Sequence, residues 1–328
     1  MNPPTLHDIY AARSRVYQHL RPTPLLAHPM LSAEIGANVL VKHENHNPTG
    51  AFKIRGGLNL VGTLGAAERS AGVTTASTGN HGQSLAMACA LQQVPCTIYV
   101  PVANNPEKNA AIRGYGAAVV EHGHDFDEAR IQCEQDALQR GTRYVHPANE
   151  PALLAGVGTY ALEMFEAHPS VDVVFVPIGG GSGASGLVTV RSAIGSSARI
   201  IGVQAARADA FARSWRSGTR IVGDYADTFA EGVATRVTFD MTFDLLKREL
   251  DDVVTLTEEE LAEGVRMALR TTHNLAEGAG AAPLMAAWKM RRELAGKTVA
   301  CVMSGGNMDT AVLRKILGAG GTRQRQAR

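Results

Sequence analysis

The chain has 328 residues, with 32 Lys+Arg against 31 Asp+Glu and a formal net charge of +1. So even a balance lacks the basic excess of a protein that works on phosphate backbones, and 45% apolar residues exclude wholesale disorder. The compositional oddity is 34 glycines, about a tenth of the chain against a typical ~7%. In chain order, residues 1–20 show no basic stretch leading into an apolar core, so no secretory signal is expected. No run approaches the ~18–20 apolar residues of a membrane span. Strands are predicted at 38–44 (NVLVKHE), 73–77 (VTTAS), 96–100 (CTIYV), 117–121 (AAVVE), 171–177 (VDVVFVP), 199–204 (RIIGVQ) and 298–304 (TVACVMS). These are short β-branched runs of the kind buried on both faces of a parallel sheet. Between them fall helical patterns at 83–91, 125–138, 153–167 and 258–269. The last follows Thr257 with Glu260 three residues on, the spacing of a capping box. Strand–helix alternation of this kind implies an α/β fold with parallel-rich sheets flanked by helices. The tail GAGGTRQRQAR reads as a fraying end.

Cys89, Cys96, Cys133 and Cys301 have no CxxC or Cys/His spacing. Cys89 and Cys301 lie in apolar segments and read as small buried hydrophobes, which fits a reducing, cytoplasmic setting.

The glycines concentrate where strands end. Gly179, Gly180, Gly181, Ser182 and Gly183 directly follow the strand VDVVFVP and precede a helical run. Such a turn closes backbone N–H groups around a phosphate at a helix start. The spacing fits neither a Walker loop nor a dinucleotide fingerprint; a tight packing turn is the competing reading. A second cluster, Ser77, Thr78, Gly79, Asn80 and His81, joins strand to helix and suits an anionic ligand, or simply caps the helix. A third holds Lys53 between Phe52 and Ile54 at the start of a helix. A surface lysine is the ordinary case, whereas a buried one becomes a usable amine nucleophile or base. The fourth is Ser304, Gly305, Gly306 and Asn307 after a strand. Ligands of open α/β sheets bind outside the carboxyl ends of strands, so one composite site is expected from the four. A lysine, a phosphate cradle and a partner for a ring nitrogen together suggest pyridoxal phosphate.

These residues resemble the fold-type II (tryptophan synthase β-like) pyridoxal-phosphate enzymes, in the threonine/serine dehydratase and serine racemase branch. The likeness runs from PTPL at 22–25 to SGGN at 304–307. It implies that PTGAFKIRGG carries the Schiff-base lysine, Lys53, with Phe52 beside the ring. STGNHGQ resembles the substrate-carboxylate loop, Ser77 to His81, with Asn80 also on the cofactor's 3′-oxygen. GGGSG resembles the phosphate loop, Gly179 to Gly183, and SGGN puts Ser304 on the pyridine nitrogen. His146–Pro147 resembles the link back into the large domain. The resemblance implies a small domain at 47–147 inserted into a large domain of 1–46 and 148–328, and a homodimer. Lys53 is then expected to remove the Cα proton of an L-3-hydroxy amino acid, with loss of the β-hydroxyl leading to a 2-oxo acid and ammonia.

Several positions depart from the family pattern. Thr78 stands where racemases carry a serine, and its methyl restricts the hydroxyl, so racemisation is the secondary expectation. Gln204 replaces the acid of the family's divalent-cation site, so no metal is expected. Glu231 and Glu277 precede glycines near the ring, with Glu277 expected at the ring edge; His273 is expected to be structural. With only a short stretch after SGGN, no C-terminal regulatory domain is expected. The partner is a small amino acid, with no nucleic acid and no membrane. Specialised substrates such as 3-hydroxyaspartate, phenylserine or a hydroxyectoine-derived amino acid remain open, as does a silent binding protein or a nucleotide module on the same scaffold.

Overall fold

The computed structural model describes residues 2–319; of the tail expected to fray, 318–319 close the last helix and the rest, from 320 on, lies outside the described residues. Two sheets organise the chain. The first joins β1 (Leu25–Ala27), β2 (Asn38–His43), β7 (Val173–Pro177), β8 (Arg199–Ala205), β9 (Asp252–Leu256) and β10 (Thr298–Met303) in the order β1-β2-β10-β7-β8-β9. Only β1 runs antiparallel. The second holds β3 (Val73–Ala76), β4 (Cys96–Val100), β5 (Ala118–Glu121) and β6 (Arg143–Tyr144), all parallel, in the order β5-β4-β3-β6.

The helices are α1 (Leu6–Val16), α2 (Pro29–Ile35), α3 (Lys53–Thr63), α4 (Ala66–Ala71), α5 (Asn80–Leu91), α6 (Pro106–Gly114) and α7 (Phe126–Arg140). They continue with α8 (Pro151–Ala167), α9 (Ser182–Ala193), α10 (Ala210–Ser217), α11 (Asp240–Glu249), α12 (Glu258–Thr272), α13 (Gly278–Lys289) and α14 (Thr310–Ala319). The capping box expected at Thr257 is present, with Thr257 and Glu260 each bonding the other's backbone.

The period-2 pleat divides the large sheet's residues between two cores. Val39, Val41, Val173, Phe175, Ile201, Val203, Val299 and Cys301 face one side, against α2, α12 and α13. Leu40, Val174, Val176, Ile200, Ala300 and Val302 face the other, against α8 and α9. Burial on both faces is why these strands read as continuous apolar runs rather than alternating ones. Cys89 and Cys301 are fully buried free thiols, as their apolar neighbours suggested. The core under the second sheet also recruits Val16 and Leu20 from the N-terminus and Leu153 and Leu154 from α8.

Beneath the start of α3 lies a closed set of buried charges. Arg55 holds Glu44 with Nε–Oε2 at 2.7 Å and Nη2–Oε1 at 2.9 Å, and Glu163 with Nη1–Oε1 at 2.6 Å and Nη2–Oε2 at 2.9 Å. Lys42 Nζ reaches Glu163 Oε2 at 2.5 Å and the Thr23 carbonyl at 2.7 Å. Two cations face two anions, so the set is electroneutral, and it ties α3 to β2 and α8.

Among the described residues no helix is long and apolar enough to cross a membrane.

Candidate active site

The parallel strands β2, β10 and β7 end on the same edge of the large sheet, and each hands the chain to one part of a single cleft. After β2 the chain passes through a short helical turn to Asn47, and then to Lys53, the first residue of α3. This lysine segment is bonded to the segment after β10: Phe52 N–H donates to Ser304 O at 3.0 Å, and Gly306 N–H to Gly50 O at 2.8 Å. After β7 the glycine turn opens α9. From the second sheet, β3 delivers Ser77 and Thr78 to the start of α5. All four clusters therefore meet, and Phe52, Lys53, Ser77 to His81, Gly179 to Gly183, Glu277 and Ser304 all line the cleft.

Lys53 Nζ donates to Ser182 Oγ at 2.8 Å and lies 5.3 Å from the Phe52 ring centre. Burial brings its amine down to about 8, with no carboxylate to hold the proton on. His81 is buried and its Nε2 has no protein partner. Burial, followed by the charge of Lys53, holds it down to about 3, so it is a neutral ring at any working pH and no cation. Glu277 stands just before α13 and accepts from Asn80 Nδ2 at 2.8 Å, while Asn80 Oδ1 accepts from Asn307 Nδ2 at 2.7 Å. Burial pushes the Glu277 carboxyl up to about 7, against the pull of the Asn80 hydrogen bond.

Two glycines of the turn are demanded by the protein itself. Gly181 sits at φ +87°, and a Cβ on Gly179 would meet the Gly232 carbonyl oxygen at 2.2 Å. The packing reading of this turn is therefore part of the truth. The polar groups are asymmetric, however. Thr242 donates to the Gly180 carbonyl and Tyr160 to the Gly183 carbonyl, both at 2.9 Å, whereas no side chain caps the N–H end of α9. A twelve-residue helix thus presents its positive end to the cleft.

Pyridoxal phosphate suits this donor set. A depressed amine fits its aldehyde, and the uncapped α9 fits its phosphate. The hydroxyl of Ser304, a buried residue that lines the cleft, fits a ring nitrogen. Asn80 keeps one N–H beyond the bond to Glu277, free for the ring oxygen.

Other expectations fall outside the cleft. His273 is exposed at the end of α12 in the left-handed conformation, φ 55°. Gln204 is buried, and its Oε1 accepts from Ala212 N–H at 3.0 Å in the first turn of α10. Among the described residues no group of three or more His, Cys, Asp or Glu is arranged to hold a metal. Lys108, Asp309 and Asn307 also line the cleft and were not singled out from sequence. Asn307 stood within a motif already noted; Lys108 carried no signal, being one charge on a polar helix.

Comparison with known proteins agrees with the geometry. Residues 16–305 match the family model described as pyridoxal-phosphate dependent enzyme. The L-threonine ammonia-lyase of Geobacter sulfurreducens is 39% identical, covering 95% of this chain and 78% of that protein. The L-threo-3-hydroxyaspartate ammonia-lyase of Saccharomyces cerevisiae is 32% identical, covering 93% and 94%. Among solved structures, the processed form of threonine deaminase isoform 2 from Solanum lycopersicum superposes with a TM-score of 0.90 at 28% identity, covering 97% of this chain and 95% of that one. A family match across most of the length, with Lys53, an uncapped α9 and Ser304 meeting in one cleft, makes this chain a member of the pyridoxal-phosphate dependent enzymes, of the α/β fold they share.

Proposed function

We propose that the protein is an ammonia-lyase that converts an L-3-hydroxy amino acid of the threonine/serine type to a 2-oxo acid and ammonia. The observation that carries this reading is Lys53: an amine near neutrality, at the mouth of the phosphate turn and in one cleft with the Ser77–His81 loop. Bound pyridoxal phosphate supplies an electron sink at the substrate's Cα. The chain's own groups do the rest. Lys53 Nζ would hold the cofactor, and as a free amine it would take the Cα proton of the substrate. Ser77 Oγ accepts the N–H groups of Gly79 and Gly82, at 3.3 and 2.9 Å, which fixes the loop. The first amides of α5 and the Thr78 hydroxyl then serve the substrate carboxylate. Gly179 to Gly183 would hold the phosphate, and Asn80 and Glu277 would meet the edge of the ring. Ser304 offers the ring nitrogen a hydroxyl rather than a carboxylate. A hydroxyl would not hold a proton on that nitrogen as a carboxylate would, which would suit loss of the β-hydroxyl.

We further propose that residues 47–147 form a small domain inserted between 1–46 and 148–328. All four strands of the second sheet lie within that span, which supports the division. A cytoplasmic homodimer completes the reading; four free cysteines fit a reducing compartment, and the exposed Leu26 of the edge strand β1 and Met30 of α2 suit a second copy.

The test is 2-oxo acid formation by the holoenzyme from L-threonine, L-serine, 3-hydroxyaspartate and 3-phenylserine. Product from at least one, lost together with the visible cofactor band in Lys53→Ala, supports the reading. A holoenzyme that forms no 2-oxo acid from any of them sinks it.

A further inference from the structure

Besides Lys53, the cleft has one other ammonium among its lining residues, Lys108 of α6. Its side chain is only 12% exposed, and it is ion-paired with Glu231, which also lines the cleft from the short turn Glu231–Val233 and is 55% exposed. The other carboxylates of the cleft are committed elsewhere. Asp309 Oδ1 accepts the N–H groups of Ala311 and Val312 at 2.8 and 3.0 Å, and its Oδ2 accepts from Asn105. Glu277 accepts from Asn80. With Lys53 given over to the cofactor, Lys108 is the cation left to meet a substrate side chain, and Glu231 neutralises it.

We propose that Glu231 sets the side-chain charge this enzyme accepts: by holding Lys108 across the cleft it admits 3-hydroxy amino acids with an uncharged side chain and turns away those bearing a β-carboxylate. This inference rests on the ammonia-lyase reading and names the substrate class within it. A β-carboxylate entering the cleft meets Glu231 and Asp309, with no unpaired cation among the described lining residues to receive it, and it would have to displace Glu231 from Lys108. Like charges placed in the path of the wrong ligand discriminate by repulsion, without any new contact to the right one. Neutralising Glu231 reverses the sign, because the Lys108 ammonium is then uncompensated and partly shielded from water.

The experiment compares wild type, Glu231→Gln and Glu231→Gln combined with Lys108→Met, all as holoenzyme. One arm measures kcat/KM for L-threo-3-hydroxyaspartate and for L-threonine. The other titrates the cofactor absorbance with L-aspartate and with L-2-aminobutyrate, neither of which has a hydroxyl to eliminate. Glu231→Gln is expected to shift both ratios toward the acidic ligand by about tenfold, and the added Lys108→Met to cancel the shift. Ratios unmoved in Glu231→Gln, or a wild type that already prefers L-aspartate, overturn the proposal. Failure to turn over threonine would count against the lyase reading alone, because the binding ratios still decide the role of Glu231. Glu231 is more than half exposed, so its substitution leaves the fold intact, which a melting curve checks.

Discussion

Lys53 Nζ and Ser182 Oγ are 2.8 Å apart, so the amine that opens α3 lies against the first residue of α9. One end of the cleft is therefore set by two helix starts meeting each other. Burial lowers the amine to about 8 in the cofactor-free chain. At pH 7.5 a substantial fraction is then the free base, whereas an ordinary lysine near 10.4 is almost wholly protonated. Borohydride trapping of a small aldehyde should label Lys53 ahead of the other lysines, with a rate that rises through about pH 8. Labelling spread evenly over the lysines would contradict the lowered value. The same shift has a stability signature. Between about 8 and the unfolded value near 10.4 the folded chain binds fewer protons than the unfolded one, so stability rises with pH across that window. Lys53→Met in the cofactor-free chain should therefore melt higher than wild type at pH 7, with the advantage shrinking as pH rises through the window.

Arg55 grips Glu44 and Glu163 bidentately in a fully buried setting, two residues beyond Lys53. Breaking a buried charge set by removing one partner strands the others, at a cost of about 3–5 kcal/mol. Arg55→Met should lose about that much in denaturant unfolding, and adding Glu44→Gln should recover part of it, because one stranded charge is then gone. Burial alone would raise the Glu44 carboxyl, but Arg55 and Lys42 outweigh it and hold it below the usual carboxylate range. Its contribution is thus present above about pH 4.5 and is lost as pH falls through the lowered folded value. The wild type should show this acid limb, and Glu44→Gln should not.

Glu277 behaves in the opposite sense. Its carboxyl is pushed up to about 7 by burial, so the folded chain binds more protons than the unfolded between about 4.5 and 7. Stability therefore falls as pH rises across that interval. Glu277→Gln should melt above wild type at pH 8 and level with it near pH 4. If the group also tunes the ring edge through Asn80, the same variant loses a limb near pH 7 in kcat/KM. A limb that survives in Glu277→Gln belongs to another group.

How far the sequence foretold this architecture depends on burial. Strands such as VVFVP and TVACVM were legible because both faces are buried, leaving no polar residue to interrupt the run. β1, β6 and β9 escaped notice: β1 and β9 form the two edges of the large sheet, β6 has two residues, and β9 begins on an aspartate. The four clusters were legible as separate turns because each sits locally at a strand end. Their shared place at strand ends also pointed to one composite site, whereas the contacts that join them could not be read from sequence. The buried charges could not be read at all, since Lys42 and Glu44 within NVLVKHE look like a solvated edge, and Glu163 lies 121 positions from Lys42. Lys108 and Glu231 are 123 positions apart, and nothing in either neighbourhood marks them as a pair.

The glycine turn separates two physical roles that its composition merges. A methyl on Gly181 would meet Thr242 Cβ at 2.9 Å with the backbone at φ +87°, so Gly181→Ala should cost about 1–3 kcal/mol whatever the ligand. A methyl on Gly183 would meet Phe52 Cζ at 3.5 Å, an ordinary contact, and alanine suits a helix better by up to ~1 kcal/mol. Gly183→Ala should therefore keep or raise the melting temperature of the cofactor-free chain. Its effect on the cofactor then reports only on the space left for the phosphate. If the phosphate rests on the first turn of α9, Gly183→Ala weakens pyridoxal-phosphate binding by about tenfold or more in an absorbance titration, through crowding at a helix start built for an anion. Unchanged affinity would put the phosphate elsewhere and leave the glycines of this turn with packing as their whole purpose.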